Sequence, residues 1–171
     1  MKTVRCLSIL ASICVFSAVA FGQSINTDYD RSANFSNYKT YAWGASPHPV
    51  NDPLWNQRTM DTIDGALAGK GLRKVNLAQN PDVIVVYNAG IKQNVSYEGY
   101  SMGGWWNRTA SIQQVVEREG TLVVDFADPH TKMIVWRGAA SDTLSDKSNK
   151  NIQKLQKAVS KMFAKYPPSG N

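Results

Sequence analysis

Two histidines are the residues of this chain whose type most readily supports hydrolytic or metal chemistry. His48 and His130 each lie next to a proline, in segments typical of a connector and a turn. A hydrolase needs its histidine beside a nucleophile or a metal, and no His-x-x-x-His spacing is present. We therefore predict no catalytic residue, no metal site and no cofactor, and keep a hydrolase or metal-dependent enzyme built on these two histidines as an alternative.

Two further segments have residue types found in active sites. The glycine-rich segment 65–71 is similar to a phosphate-binding loop, but Lys70 is not followed by Ser or Thr and the segment ends a predicted helix instead of starting one. Asp125 interrupts an apolar run. We interpret the first as a helix C-terminus and Asp125 as a solvent-facing strand residue.

An aromatic segment, residues 97–106, is the strongest candidate for a binding surface. It contains three glycines and four aromatic residues, which are Tyr97, Tyr100, Trp105 and Trp106. Exposed aromatic area in a glycine-rich loop is typical of a contact with a protein, a sugar ring or a lipid headgroup layer. We predict an interaction loop here, and the alternative is a long hairpin tip whose aromatic side chains fold back on the sheet.

The first 22 residues have the pattern of a secretory signal peptide. Lys2 and Arg5 precede an apolar run, 7–21, which lacks acidic residues and is too short to span a bilayer as a stable helix. We predict cleavage after Gly22, with cleavage after Ala20 as the alternative. The expected location is periplasmic or secreted, and association with the outer membrane remains open.

Removing this leader changes what the composition implies. The full 171 residues have a net charge of +6 and two cysteines, whereas the 149 residues after Gly22 have 17 Lys and Arg against 13 Asp and Glu, hence +4, and no cysteine. This charge is too small to indicate nucleic acid as a partner. Neither Cys6 nor Cys14 has the setting of a lipidated cysteine, so we expect no lipid anchor and no transmembrane span.

The elements that must position these residues are predicted to form one α+β domain, 23–171. Asp52 before Pro53 is a helix-start signal, and apolar residues from Ile152 to Tyr166 recur at helical spacing until Pro167. Strands are predicted at 25–29, 38–43, 72–75, 83–95 and 133–140, and 112–116 and 121–126 are predicted to form one strand or two. The order β-β-α-β-β-β-β-α predicts a mostly antiparallel sheet covered on one face by two amphipathic helices.

Several segments together resemble a known bacterial family. They are Asp28-Tyr29-Asp30, Phe35 to Trp43 with Lys-Thr-Tyr-Ala-Trp, Lys70-Gly71-Leu72, Pro81 to Val85, Glu119 to Asp125, Val135-Trp136-Arg137-Gly138 and Phe163 to Pro168. In this order they resemble the lipoprotein-type domain of unknown function 4136. The resemblance implies a cell-envelope protein with a small α+β fold and no established catalytic residues. Trp43 and Trp136 would be core anchors, and Gly138 would permit close packing.

The sequence thus predicts an exported, non-catalytic envelope protein that acts as a binding module for an unknown envelope protein or glycan. This prediction rests on the leader sequence, on the lack of a recognisable set of catalytic residues and on the aromatic segment. A structural, self-assembling envelope protein is a second alternative beside the enzyme.

Overall fold

The structure, a computed structural model, describes residues 23–102 and 109–168, with side chains for 23–97 and 114–168. Six strands and two helices follow one another in the predicted order. The strands are β1 (Ser24–Tyr29), β2 (Thr40–Trp43), β3 (Arg73–Lys74), β4 (Val83–Met102), β5 (Thr109–Ala127) and β6 (Ile134–Thr143). The helices are α1 (Pro53–Gly69) and α2 (Ser148–Ala164), and single 3₁₀ turns occupy Phe35–Asn37 and Leu77–Gln79.

All six strands form one sheet in the order β1-β6-β5-β4-β2-β3. The β4–β5, β5–β6 and β6–β1 pairs are antiparallel. Strand β2 is parallel to both β3 and β4, because α1 carries the chain back over the sheet before the next strand begins. The sheet is therefore mixed, with an antiparallel majority.

Helix α1 begins where the sequence predicts. The Asp52 carboxylate accepts hydrogen bonds from the backbone N–H groups of Leu54 at 2.9 Å and Trp55 at 3.2 Å, which satisfies two amides that have no partner inside the helix. Ile63 and Leu67, one turn apart, are fully buried against the sheet. The same face of the sheet is covered by α2, so one face packs against both helices, as predicted.

An aromatic cluster joins α2 to the middle of the sheet. Phe126, Trp136, Phe163 and Tyr166 pack with ring centroids 5.0–6.3 Å apart. Trp136 is fully buried, which confirms it as a core anchor. A Cβ on Gly138 would lie 2.3 Å from Met162 Cγ and 2.6 Å from Trp136 Cη2, so the glycine permits the close approach of α2 that the sequence predicts.

Asp64 on α1 fixes the helix to the edge of the sheet. Its Oδ1 accepts hydrogen bonds from the Tyr41 hydroxyl at 2.7 Å and the Trp43 indole N–H at 2.8 Å, and its Oδ2 pairs with Lys74 at 2.8 Å. Burial, followed by the hydrogen bond to Asp64, raises the pKa of Tyr41. Trp43 is half-buried at the border of the core, so its predicted anchoring role includes this polar contact.

Candidate functional site

The two histidines lie at different heights along the sheet, His130 near one end and His48 further along β4. The His48 carbonyl accepts a hydrogen bond from the backbone N–H of Ala89 on β4. His130 belongs to the β5–β6 turn that follows Ala127, which pairs with Ile84. Five residues of β4 between Ile84 and Ala89 correspond to about 17 Å. The structure therefore does not bring the histidines together as the alternative enzyme requires.

A metal site would need several ligating side chains in one place. Within 23–102 and 109–168 no group of three or more His, Cys, Asp or Glu residues lies close enough to hold a metal ion. In the same ranges no helix is long and apolar enough to cross a bilayer. The glycine-rich segment 65–71 ends α1 and places Gly71 at φ +83°, as its interpretation as a helix C-terminus requires.

The prediction that Asp125 faces solvent is wrong. Its side chain is 10% exposed and accepts two hydrogen bonds from Arg137, at 2.6 Å from Nε and 2.9 Å from Nη2. These hydrogen bonds make the largest contribution to raising the pKa of the Arg137 guanidinium. Arg137 lies directly across the β5–β6 hairpin, so this pair has the bidentate geometry of a structural contact.

The feature that stands apart from the compact part of the molecule is a two-stranded ribbon. We give this name to residues 93–102 of β4 and 109–118 of β5. Pairing of β5 with β6 ends at Glu119 and Thr143, whereas pairing of β4 with β5 continues for ten more pairs, from Gln93 with Arg118 to Met102 with Thr109. At about 3.3 Å per residue the ribbon extends roughly 30 Å.

One face of the ribbon carries three exposed apolar side chains, beside the polar side chains of Gln93, Gln114 and Arg118. Side chains alternate between the two faces of a strand, so Val95, Tyr97 and Val116 lie on the face that the helices cover further down the sheet. Tyr97 is 71% exposed, Val95 49% and Val116 51%. Ile91, at the base of the ribbon, is 68% exposed on the same face. Apolar residues therefore recur on this face along the ribbon, beyond the part of the sheet that the helices cover.

The predicted interaction loop, 97–106, begins within this ribbon, and its residues 103–106 lie outside the described residues. Tyr97 and Tyr100 belong to β4, so the segment begins as strand where the sequence predicts a loop. The Tyr97 side chain does not fold back on the sheet. The backbone of Tyr100 continues the ribbon, whereas Trp105, Trp106 and the predicted cleavage positions after Gly22 and Ala20 lie outside the described residues.

Sequence reasoning missed the length of the ribbon. The alternation of apolar and polar residues is visible at Ile91, Val95 and Tyr97, but a pattern of this kind predicts a strand with one buried face. Nothing in it shows that the helices end before they reach these positions. The ribbon follows only when the strand lengths are compared with the reach of the 17-residue helices.

Solved structures of low sequence identity share this fold. A PDZ domain protein from Parabacteroides distasonis is 16% identical with a TM-score of 0.59 over 87% of this chain, which spans only 37% of that protein. A PelC dodecamer from Paraburkholderia phytofirmans is 12% identical with a TM-score of 0.53, and 84% of this chain and 95% of that one are covered.

The family follows from both a sequence and a structural comparison. A DUF4136 family protein from Bacteroides thetaiotaomicron is 12% identical with a TM-score of 0.55, covering 85% of this chain and 96% of that one. No functionally curated protein matches the sequence. The sequence pattern of the Domain of unknown function (DUF4136) matches residues 25–168, which is nearly all of the described chain. The chain belongs to the DUF4136 family.

Proposed function

We propose that this chain is an exported, non-catalytic binding module of the bacterial cell envelope and that the ribbon is its contact surface. The observation that carries the proposal is the exposure of three neighbouring apolar side chains on one face of the ribbon, those of Val95, Tyr97 and Val116. A two-stranded ribbon without a core is marginally stable by itself. Because these side chains stay exposed in the folded chain, they contribute little to the free energy of folding. Burial against a binding partner would account for apolar residues at these positions.

The export part of the proposal is supported by the leader sequence. Residues 1–22 combine two basic residues with an apolar run, the pattern of a signal peptide. The expected location is the periplasm or the exterior, with outer-membrane association open. The proposed partner is an envelope protein or glycan, and the tyrosine and tryptophan residues of 97–106 suit both, since their faces stack on sugars and their bodies bury well in protein interfaces.

The size of the effect can be judged from the exposed side chains. Fully burying a valine side chain is worth about 1.5–3 kcal/mol. A half-exposed Val116 would therefore gain about 1 kcal/mol on a partner, and a charge in its place would cost the complex more than this gain. We expect substitution of one such residue by lysine to weaken binding at least about tenfold.

Affinity capture from an envelope fraction tests the proposal with a matched pair of variants. Val116 is 51% exposed on the ribbon and Leu77 is 52% exposed on a 3₁₀ turn at the far edge of the sheet. Val116→Lys is expected to lose the captured species, whereas Leu77→Lys is expected to retain it, with thermal midpoints near that of the wild type. Equal retention by the two variants would contradict the proposal.

Self-assembly is a second candidate function. The PelC proteins that share this fold at a TM-score of 0.53 form dodecamers, and a second copy could bury the exposed apolar side chains of the ribbon. Light scattering over a range of protein concentrations tests it. A mass that rises with concentration in the wild type, but not in Val116→Lys, would favour self-assembly, and a constant monomer mass would dismiss it.

A further inference from the structure

A second surface, next to the base of the ribbon, is a cleft of about 700 Å³ between the N-terminal halves of the two helices. The floor is the helix-covered face of the sheet, with Ala89 on β4, Leu122 on β5 and Ala140 on β6. Trp55 on α1 forms one wall and Leu155 on α2 the other. The volume lies within the range of about 300–1,000 Å³ typical of small-molecule pockets.

Small residues create this cleft where larger ones would close it. Ala89 and Ala140 on the floor carry only a methyl group, on either side of Leu122. Gly120, two residues before Leu122 on β5, carries no side chain, and Leu144 packs over it. With Val50 and Leu155, these residues give the cleft a mostly apolar surface. Below the cleft, at Val85 and Val124, the same face is fully buried against the helices. The cleft is thus the unfilled end of an otherwise close-packed layer.

The charged groups at the rim are already paired with one another. Lys154 donates to Asp142 at 2.8 Å, and Arg118 pairs with Asp146. The Asp52 carboxylate caps α1. Both cations of the rim are therefore paired with carboxylates, and the third carboxylate is bonded to helix amides, so no cationic side chain of the lining is left without a counter-charge to recognise an anionic ligand.

Most of the less exposed uncharged polar groups of the cleft are also engaged, and the exception among the described residues is the Gln23 side-chain oxygen, which is buried without a hydrogen-bond partner. Asn151 exchanges two hydrogen bonds with the backbone of Ser145, at 2.8 and 2.7 Å. The Gln23 amide donates to Asp142 and to the Lys154 carbonyl, and the Thr59 hydroxyl donates to the Trp55 carbonyl. A sugar or an extended peptide would bring donors and acceptors that find few partners here, at about 1–3 kcal/mol for each group left unpaired.

We infer that the cleft binds the hydrocarbon chain of a single lipid molecule. Such a chain needs no hydrogen bonds and no counter-charge, and it gains about 25 cal/mol for each Å² of apolar surface removed from water. Its polar headgroup lies at the open side, where the paired charges of the rim meet solvent. This site adjoins the base of the ribbon through Ile91 and Arg118, but Val95, Tyr97 and Val116 are not part of its lining.

Binding of cis-parinaric acid, a fluorescent straight-chain fatty acid, to the purified protein tests the inference. We expect saturable binding that palmitic acid displaces. Ala89→Leu fills the floor and is expected to weaken binding at least about tenfold. Ala139→Leu makes the same change on the opposite face of β6, which points away from the helices. This variant is expected to bind as the wild type does. Absence of saturable binding, or equal loss in both variants, would overturn the inference.

Two further measurements keep the test decisive. If Ala89→Leu fails to fold, Ile91→Ser replaces it, because Ile91 borders the cleft and is 68% exposed. We expect Ile91→Ser to weaken cis-parinaric acid binding about fivefold. Unchanged affinity would overturn the inference. The glycerol ester of palmitic acid is expected to compete as well as palmitic acid, since recognition is of the chain. Competition by the free acid alone would show that the carboxylate is recognised instead, which contradicts the inference.

Discussion

Replacing Gly138 with alanine is expected to destabilise the protein through one identifiable clash. A Cβ at this position would lie 2.3 Å from Met162 Cγ, 2.5 Å from Met162 Sδ and 2.6 Å from Trp136 Cη2. Real Cβ atoms do not approach other heavy atoms this closely. Met162 and Trp136 are both fully buried, so neither can move aside into solvent and the helix itself must shift.

The cost follows from the behaviour of overpacked cores. Extra methylene groups in a well-packed interior cost about 1–3 kcal/mol, and three simultaneous short contacts with buried neighbours place Gly138→Ala near the upper end, at about 3 kcal/mol. For a domain of this size about 2–4 °C of thermal midpoint is lost per kcal/mol. The thermal midpoint is therefore expected to fall by about 6–12 °C.

Urea unfolding followed by circular dichroism measures this effect, and Gly90→Ala is the matched control. Gly90 also lies in a strand, but a Cβ there meets nothing within 4 Å. That substitution is expected to be neutral, or to stabilise by about 0.5 kcal/mol by restricting the unfolded chain. The double variant with Met162→Ala is expected to cost at least about 1 kcal/mol less than the sum of the single variants. Equal stabilities for Gly138→Ala and Gly90→Ala would refute the reasoning.

Three other predictions concern the remaining parts of the fold. Asp64→Ala removes the acceptor of the Tyr41 hydroxyl and the Trp43 indole and is expected to lower the free energy of unfolding by about 2 kcal/mol or more, whereas Asp61→Ala on the exposed side of α1 is expected to change it by less than about 0.5 kcal/mol. Burial raises the pKa of Tyr166 above about 10, its value in the unfolded chain, so the stability that its neutral phenol contributes is fully present below about pH 10 and is lost as the pH rises toward the folded-state pKa. Tyr166→Phe is therefore expected to flatten the alkaline part of a plot of unfolding free energy against pH. An unchanged plot would show that burial of Tyr166 does not cause the alkaline loss of stability. Joining Gln93 to Arg118 by Asn-Gly removes nearly all of the ribbon and is expected to shift the thermal midpoint by only a few degrees, because the described ribbon side chains lie outside the core; loss of cooperative unfolding would show that the ribbon supports the fold.

Local signals in the sequence predicted most of the architecture. The Asp52 cap, the helical spacing from Ile152 to Tyr166 and the turn at His130 each depend on residues close together in the chain. The parallel pairing of β2 with β4 could not be predicted in this way, because it joins Tyr41 to Val83 across the whole of α1. Pairings of high sequence separation are set by the packing of the complete domain.

The candidate sites were harder to predict than the fold. Asp125 was misjudged because its partner, Arg137, lies twelve residues away across a hairpin. The cleft has no sequence signal, since its small residues come from different strands and its walls from both helices. The aromatic segment 97–106 was visible in composition, yet its start within a ribbon depends on where the helices stop.

Photo-crosslinking in intact cells tests the central claim most directly. A benzophenone amino acid replaces Tyr97, which is 71% exposed on the ribbon, or Tyr29, which is 36% exposed at the end of β1 farthest from it. We predict an adduct of one defined mass from position 97 in the envelope fraction and none from position 29. The same adducts from both positions, or none from position 97, would contradict the proposal that the ribbon is the contact surface of an exported protein.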